Sequence, residues 1–599
     1  MAERLTRAAV FPEAELPDAG ELISEGRKAA TTHRLGESTF LKHYGVESEA
    51  EYKRRCGAEG RVMMHAQIGF RDPGKSQRAY AEIWDKVDKA GFRVDRYGIC
   101  LDWSMGYPAA MRADMPRGTG LILEDEDDLL RLTSAAPASP HYGDFVIGTP
   151  AGFENTCLAL ASGSTAIGNL GQFFTFRQPH WDDDAQVTAE TVKAIALTAA
   201  QPVEILVHSN MDDGFAALFS DLACSCGAVL IEKYIVEDLL GGLVGHCFGN
   251  TFSKPYKRLA FQRAIAQVTD TPGTMVYGAT TMYGPNHAEN YAALANYIRI
   301  DALAQKTRPT GHAVNPVPVT EAERIPDIEE VIDVHLMANR MIELEIPFDS
   351  MFDFTEMDEV AARIVEGGHR FKANVLDGFE EAGIDTADPF EMFLAIRRIG
   401  SKRLEEMFGP GQPDPNRLRG RRAVERSTSI EEMEDTGEGY VGALDPEVRA
   451  VIAASGLKPC LATTDVHEYA KVLVETVFRN LELPIADGGV STDPNDLAEQ
   501  AKKTGADFIA LSSYNGIALS FVQDLKSEMA KLGLDVPVFI GGRLNRIPDA
   551  SNTSLPIDVT AEIAEAGAIV CANLDDMLVR LETMARERVA PVTSAEDAA

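Results

Sequence analysis

A chain of 599 residues, 45% hydrophobic and 25% charged, has the composition of a soluble globular protein with room for several large cores. Its formal charge of −35 sets an acidic surface against nucleic acid and anionic membrane, both of which it would repel. No apolar run approaches the ~18 residues of a membrane span, the first twenty residues hold no apolar signal core, and eight scattered cysteines, with only Cys224 and Cys226 close together, fit reduced thiols in a cytoplasmic protein.

In chain order, residues 1–60 read as a polar N-terminal arm with helical pieces. Over 61–405 short apolar runs alternate with helix-like stretches. The strand candidates are MMHAQIGF (63–70), RVDRYGICLD (93–102), DFVIGTP (144–150), TAIGNLGQFFTF (165–176), VEILVHSN (203–210), AVLIEKYIV (228–236) and TMVYGAT (274–280). Continuous apolar runs suit strands buried on both faces of a parallel sheet. Several end in Gly, His, Asp or Asn, as barrel strands do where they deliver polar groups to a shared pocket. They predict an α/β fold with a (β/α)8-like barrel, and an open doubly wound sheet is the alternative. Residues 327–400 read as a helical extension of it. A segment rich in Pro, Gly and Arg, then in acids, makes 406–455 a linker. The stretch 456–590 alternates five strands (459–464, 484–489, 507–513, 537–542, 568–573) with five helices, which predicts a flavodoxin-like, Rossmann-like sheet. Residues 591–599 are a tail.

In such a sheet, ligands dock beyond the carboxyl ends of the strands. Three clusters fall there: Asp465-Val466-His467-Glu468-Tyr469-Ala470, then Ser512-Ser513-Tyr514, then Gly541-Gly542. An imidazole at His467 suits a transition metal of intermediate softness such as cobalt, and Asp465 can accept the other ring N–H and fix the tautomer. Serine hydroxyls can bond a heterocycle or phosphate, and paired glycines let backbone approach a bulky flat ligand. With 41 residues between Ala470 and Ser512 and 26 between Tyr514 and Gly541, this pattern resembles the D-x-H-x-x-G, S-x-L, G-G signature of cobalamin-binding domains. It departs from that signature at Ala470 and Tyr514. The resemblance implies a cobalamin whose cobalt takes His467 as lower axial ligand, with Asp465, Ser512, Ser513, Tyr514, Gly541 and Gly542 around the cofactor.

TTDVHEYAKV, IALSSYNG and VFIGGRL are further similar to the small subunit of glutamate mutase. Residues 310–346, and more faintly 207–228, are similar to its large subunit, as if both were fused in one chain. That implies adenosylcobalamin and a radical carbon-skeleton isomerisation of a small carboxylate or amino acid, with no nucleic-acid or membrane partner and a homodimer as the expected assembly. A corrinoid methyltransferase and a cobalamin-binding sensor or carrier are the alternatives. The residues that grip substrate in glutamate mutase have no counterpart around GNLGQFFTFRQPHW (168–181), where Phe176 and His180 stand instead. Arg177 and His180 remain as carboxylate partners. His208 and Glu232 are further catalytic candidates near strand ends, along with Arg96, Asp102, Asn210 and Lys233. Glu321 falls in the segment that resembles the one meeting the adenosyl ribose.

Overall fold

The computed structural model describes residues 5–344, 351–415, 417–465, 468–549 and 551–589, and these divide into two compact units. The first comprises residues up to Ser429 together with Pro548–Leu555. The eight strands of its main sheet are β1 (His65–Ile68), β2 (Arg96–Ile99), β3 (Ser139–Tyr142), β4 (Ala166–Gly168), β5 (Leu206–Asn210), β6 (Leu243–Phe248), β7 (Met275–Val276) and β8 (Ala313–Val314). All pair in parallel in sequence order, and a bridge between Met64 and Val314 closes the ring. The unit is therefore a barrel, and the open-sheet alternative falls.

Helix α1 (Glu49–Ala58), within the stretch read as an arm, supplies side chains to the amino-terminal end of the barrel. One helix then follows each strand: α2 (Pro73–Lys89), α3 (Glu126–Thr133), α4 (Gly152–Ala161), α5 (Asp184–Ala199), α6 (Leu222–Lys233), α7 (Pro255–Val268), α8 (His287–Thr307) and α9 (Ile328–Glu343). Two long helices, α10 (Thr355–Ala382) and α11 (Pro389–Phe408), pack outside them. Asn552 is buried in this unit too, donating to the carbonyls of Gly69 (2.6 Å) and Thr119 (3.1 Å).

Two strand assignments fail. AVLIEKYIV (228–236) lies in α6 and the π-turn after it. This helix is apolar all round because the barrel wall covers one side and α10 the other, so its sequence mimics a buried strand. A Cβ added at Gly227 would collide with Phe371 of α10. Gly227→Val should therefore cost about 1–3 kcal/mol by overpacking, read as a lower urea midpoint with an unchanged slope. DFVIGTP (144–150) is a buried loop, and the strand precedes it as Ser139-Pro140-His141-Tyr142. That strand, with His141, and β6, with Gly245 on its lumen face and His246 on its outer face, are interrupted by polar or small residues, and β8 is only two residues long, so all three escape an apolar-run reading.

The second unit, Ile430–Ile547 with residues from Pro556 on, holds a five-stranded parallel sheet. Its strands are β9 (Pro459–Thr463), β10 (Ala486–Gly489), β11 (Phe508–Ser513), β12 (Val538–Gly542) and β13 (Ile569–Val570), in the order β10-β9-β11-β12-β13. The stretch 406–455 carries helix α12 (Thr428–Ala443) and helix α13 (Pro446–Ser455), and its residues from Ile430 on group with this unit. Helices α14 (Tyr469–Asn480), α15 (Pro494–Thr504), α16 (Ala518–Leu532), α17 (Thr560–Glu565) and α18 (Leu574–Val589) complete the alternation. Phe508, Phe539 and Phe478 pack on one face of the sheet and Ile509, Ile540 and Leu525 on the other. Among the described residues no helix is long and apolar enough to cross a membrane.

Candidate functional site

The carboxyl edge of the second sheet gathers the motif residues. Ser512 pairs with Gly541 in register, Ser513 with Gly542, and Thr463 with Ser512, so the loop after β9 emerges beside both. His467 lies outside the described residues. Asp465, two residues earlier, is buried, and its Oδ2 accepts the backbone N–H groups of Tyr514 (2.9 Å) and Asn515 (3.3 Å) and the Thr464 hydroxyl (3.0 Å). One carboxylate oxygen thus ties the β9 loop to the β11 loop. The Thr464 hydroxyl also lies 3.0 Å from that of Ser513, which is buried. Tyr514 is 41% exposed, with the Arg543 guanidinium 4.3 Å above its ring, so it belongs to the rim.

Below this edge runs a cavity of about 150 Å3 between the sheet and helices α14 and α18. Its walls include Leu461, Ala470, Leu473, Ser512, Gly541 and Met577, mainly apolar with one serine hydroxyl. The two glycines have different jobs. A Cβ at Gly541 would meet only the Cys571 carbonyl, at 3.5 Å, so its hydrogen leaves the cavity open. Gly542 has φ +102°, and a Cβ there would strike the Ser513 carbonyl, so it serves the close approach of β12 to β11.

The barrel lumen is the other concave polar place. At its floor Glu49 of α1 is fully buried: Oε1 accepts from Arg96 Nε (2.8 Å) and lies 3.3 Å from Lys53 Nζ, while Oε2 accepts from the Ser139 hydroxyl (2.6 Å). Lys53 also donates to the carbonyls of Thr274 and Gly311. Burial pushes its ammonium down to about 8, against the pull of Glu49. Above this plug stand His65, His141 and His208. Arg96 Nη1 lies 3.1 Å from His65 Nδ1, and the rings of His141 and His208 meet edge to face at 4.2 Å. Burial first, and then the Arg96 charge, hold all three imidazoles well below their usual pKa. Both effects favour the neutral form of the ring.

Of the residues singled out from sequence, His208 and Arg96 thus face the lumen, and Asn210 follows His208 two positions on along the same face of β5. Asp102 accepts three loop N–H groups, from Ser104, Gly118 and Gly120. Glu232 reaches the barrel wall from outside, on α6: Oε1 accepts from the Ser209 hydroxyl (2.7 Å), and Oε2 lies 2.9 Å from His246 Nε2. Lys233 pairs with Glu237. Arg177 lines a separate cavity of about 230 Å3 with Gln178, Trp181, Asp184 and Arg397, and His180 is exposed beside it with φ +60°. Glu321 sits on a short turn after β8, and its charge is felt by Cys100 and Tyr277. Sequence reasoning missed His65, His141 and the Glu49–Lys53 pair. The histidines stand alone in short strands, and the i, i+4 pair looks like any solvated helix face.

Burial raises the Asp144 carboxyl to about 7, with Asp213 adding to the rise. Among the described residues, no group of three or more His, Cys, Asp or Glu is arranged to hold a metal ion.

No family model matches the sequence. The chain is 25% identical over 192 residues to the methylmalonyl-CoA mutase large subunit of Propionibacterium freudenreichii subsp. shermanii. That match covers 31% of this chain, which spans a quarter of the relative's length. A crystal structure of a novel cobalamin-binding protein from Desulfitobacterium hafniense DCB-2 is similar at 18% identity and a TM-score of 0.18, covering 27% of this chain and 79% of that one.

Proposed function

We propose that this chain is an adenosylcobalamin-dependent isomerase, rearranging the carbon skeleton of a small carboxylic or amino acid as glutamate mutase does. The observation that carries the reading is the apolar cavity that runs from mid-sheet to Ser512 and Gly541 at the carboxyl edge of β11 and β12. Its walls suit a flat heterocycle on an extended nucleotide tail, with Ser512 able to bond a ring nitrogen. The partial likeness to a methylmalonyl-CoA mutase supports the same direction.

When bound, the cofactor supplies a weak cobalt–carbon bond as the source of the substrate radical. The residues of this chain then bind, orient and exclude water. Asp465 holds the β9 loop against the β11 loop, and His467, two residues on in the sequence, would ligate the cobalt. The barrel lumen, floored by α1, is the substrate chamber. Its neutral histidines and amides position the substrate by hydrogen bonds.

The test uses adenosylcobalamin tritiated at the 5′ carbon, with glutamate, 3-methylaspartate, 2-methyleneglutarate and small hydroxy acids offered in turn. Tritium should enter one of these acids. Methyl transfer from a methyl donor with no tritium exchange would replace the isomerase with a methyltransferase. His467→Ala should weaken cobalamin binding and remove the axial nitrogen splitting from the cobalt(II) paramagnetic resonance spectrum. Persistence of that splitting would move the ligand elsewhere.

A further inference from the structure

The two facing imidazoles in the lumen have their tautomers dictated by their neighbours. His141 Nδ1 lies 3.2 Å from the Ala166 carbonyl, which can only accept, so Nδ1 carries the hydrogen. His208 Nδ1 lies 2.8 Å from the Thr274 hydroxyl, whose own hydrogen goes to the His246 carbonyl at 3.2 Å. That hydroxyl therefore accepts from His208, and again Nδ1 is the donor. Both Nε2 atoms are left as bare lone pairs. Neither has a hydrogen-bond partner among the described residues, and neither is sealed within protein.

The space above them is kept open. A Cβ added at Gly143 would stand 3.0 Å from His141 Nε2, so the glycine leaves a gap where any other residue would place a methyl.

The charges nearby decide what the acceptors can take. Arg96 and Lys53 share one carboxylate, Glu49, so the floor is net positive and opposes protonation of either ring. The unpartnered Arg96 Nη2 is sealed within protein and out of a ligand's reach. A carboxylate would meet lone pairs with lone pairs, and an ammonium would meet the positive floor on one side, with the Asp144 and Asp213 carboxyls beyond the ends of β3 and β5 on the other, so β-alanine is the probe that decides against it. A hydroxyl meets neither objection.

We propose that His141 and His208 form a subsite that accepts hydrogen bonds from a hydroxyl group, so that the substrate is a small hydroxylated acid whose hydroxyl end lies deep in the barrel. This deepens the isomerase reading and rests on it in taking the lumen as the substrate chamber.

The experiment is two-bond 1H–15N spectroscopy of the full chain labelled at histidine, with the two rings assigned through His141→Gln and His208→Gln. At pH 7 both wild-type rings should give a protonated Nδ1 and an unprotonated Nε2. An Nε2–H tautomer or an imidazolium in either ring overturns the proposal. Three matched probes follow: 3-hydroxypropionate, β-alanine and propionate. Only 3-hydroxypropionate should move both Nε2 signals saturably, and each Gln variant should bind it at least about tenfold more weakly, the worth of one hydrogen bond. An equal response to propionate, a larger one to β-alanine, or none to any probe overturns it as well. Cobalamin titration of the wild type is the separate arm. Its failure would sink the cofactor reading while the imidazole result stood.

Discussion

Glu49→Ala should lower the thermal midpoint of the barrel by roughly 3–5 °C, the largest stability effect expected of a single substitution here. Glu49 is the one carboxylate shared by two fully buried cations, Arg96 and Lys53, and it also accepts from Ser139. Removing it leaves both charges unpaired in a medium that solvates them poorly. A broken buried ion pair of this kind costs about 3–5 kcal/mol. Lys53→Met added to Glu49→Ala should recover part of the loss, because one uncompensated charge then disappears. A double variant no more stable than the single one would mean that the cost comes from cavity formation rather than charge.

Acid stability gives a second reading of the same pair. Burial by itself would raise the Glu49 carboxyl, but Arg96, Lys53 and the Ser139 hydroxyl outweigh it and hold the group below its ordinary range. Between the folded and unfolded values the unfolded chain binds more protons, so stability rises with pH across that window. The contribution is complete above the ordinary carboxylate range and is lost as pH falls through the folded value. Glu49→Gln, which has no proton to gain, should show a shallower acid limb than wild type in urea melts taken at a series of pH values.

The contrast between the two sheets explains what sequence could and could not reveal. Strands β9 to β13 are covered by helices on both faces, so PCLATT, DFIALSS and PVFIGG are solid apolar runs, and alternation with amphipathic helices located every one of them. The barrel strands bury one face in a lumen lined by His65, Arg96, Ser139, His141 and His208, and that polar lining erased the signal at β3. The opposite error arose at α6, where cover on two sides made a helix read as a strand. The candidate site divides in the same way. Spacing singled out the carboxyl edge of the second sheet, because three clusters converge on the ends of strands adjacent in the sheet. The lumen histidines come from three strands with no shared motif, and only closure of the barrel brings them together. Glu232 lay outside the lumen because it was placed on a strand that is a helix.

Gly541→Leu should weaken cobalamin binding by about 100-fold, or roughly 2.7 kcal/mol, while leaving the fold intact. The position sits in β12 at the carboxyl edge, and an added Cβ meets only the Cys571 carbonyl at 3.5 Å, so a side chain is tolerated there without strain. Its branches would occupy the cavity of about 150 Å3 against Ser512 and Leu473, in the volume assigned to the cofactor tail. Gly541→Ala, too small to fill it, should bind within a few fold of wild type. Gly542→Ala is the control that separates affinity from folding: at φ +102° and against the Ser513 carbonyl, its cost should fall on stability, with a lowered melting point in the apoprotein. The measurement is an absorbance titration with cyanocobalamin alongside an apoprotein melt for each variant. Wild-type affinity in Gly541→Leu would place the cofactor tail outside this cavity and remove the observation on which the isomerase reading rests.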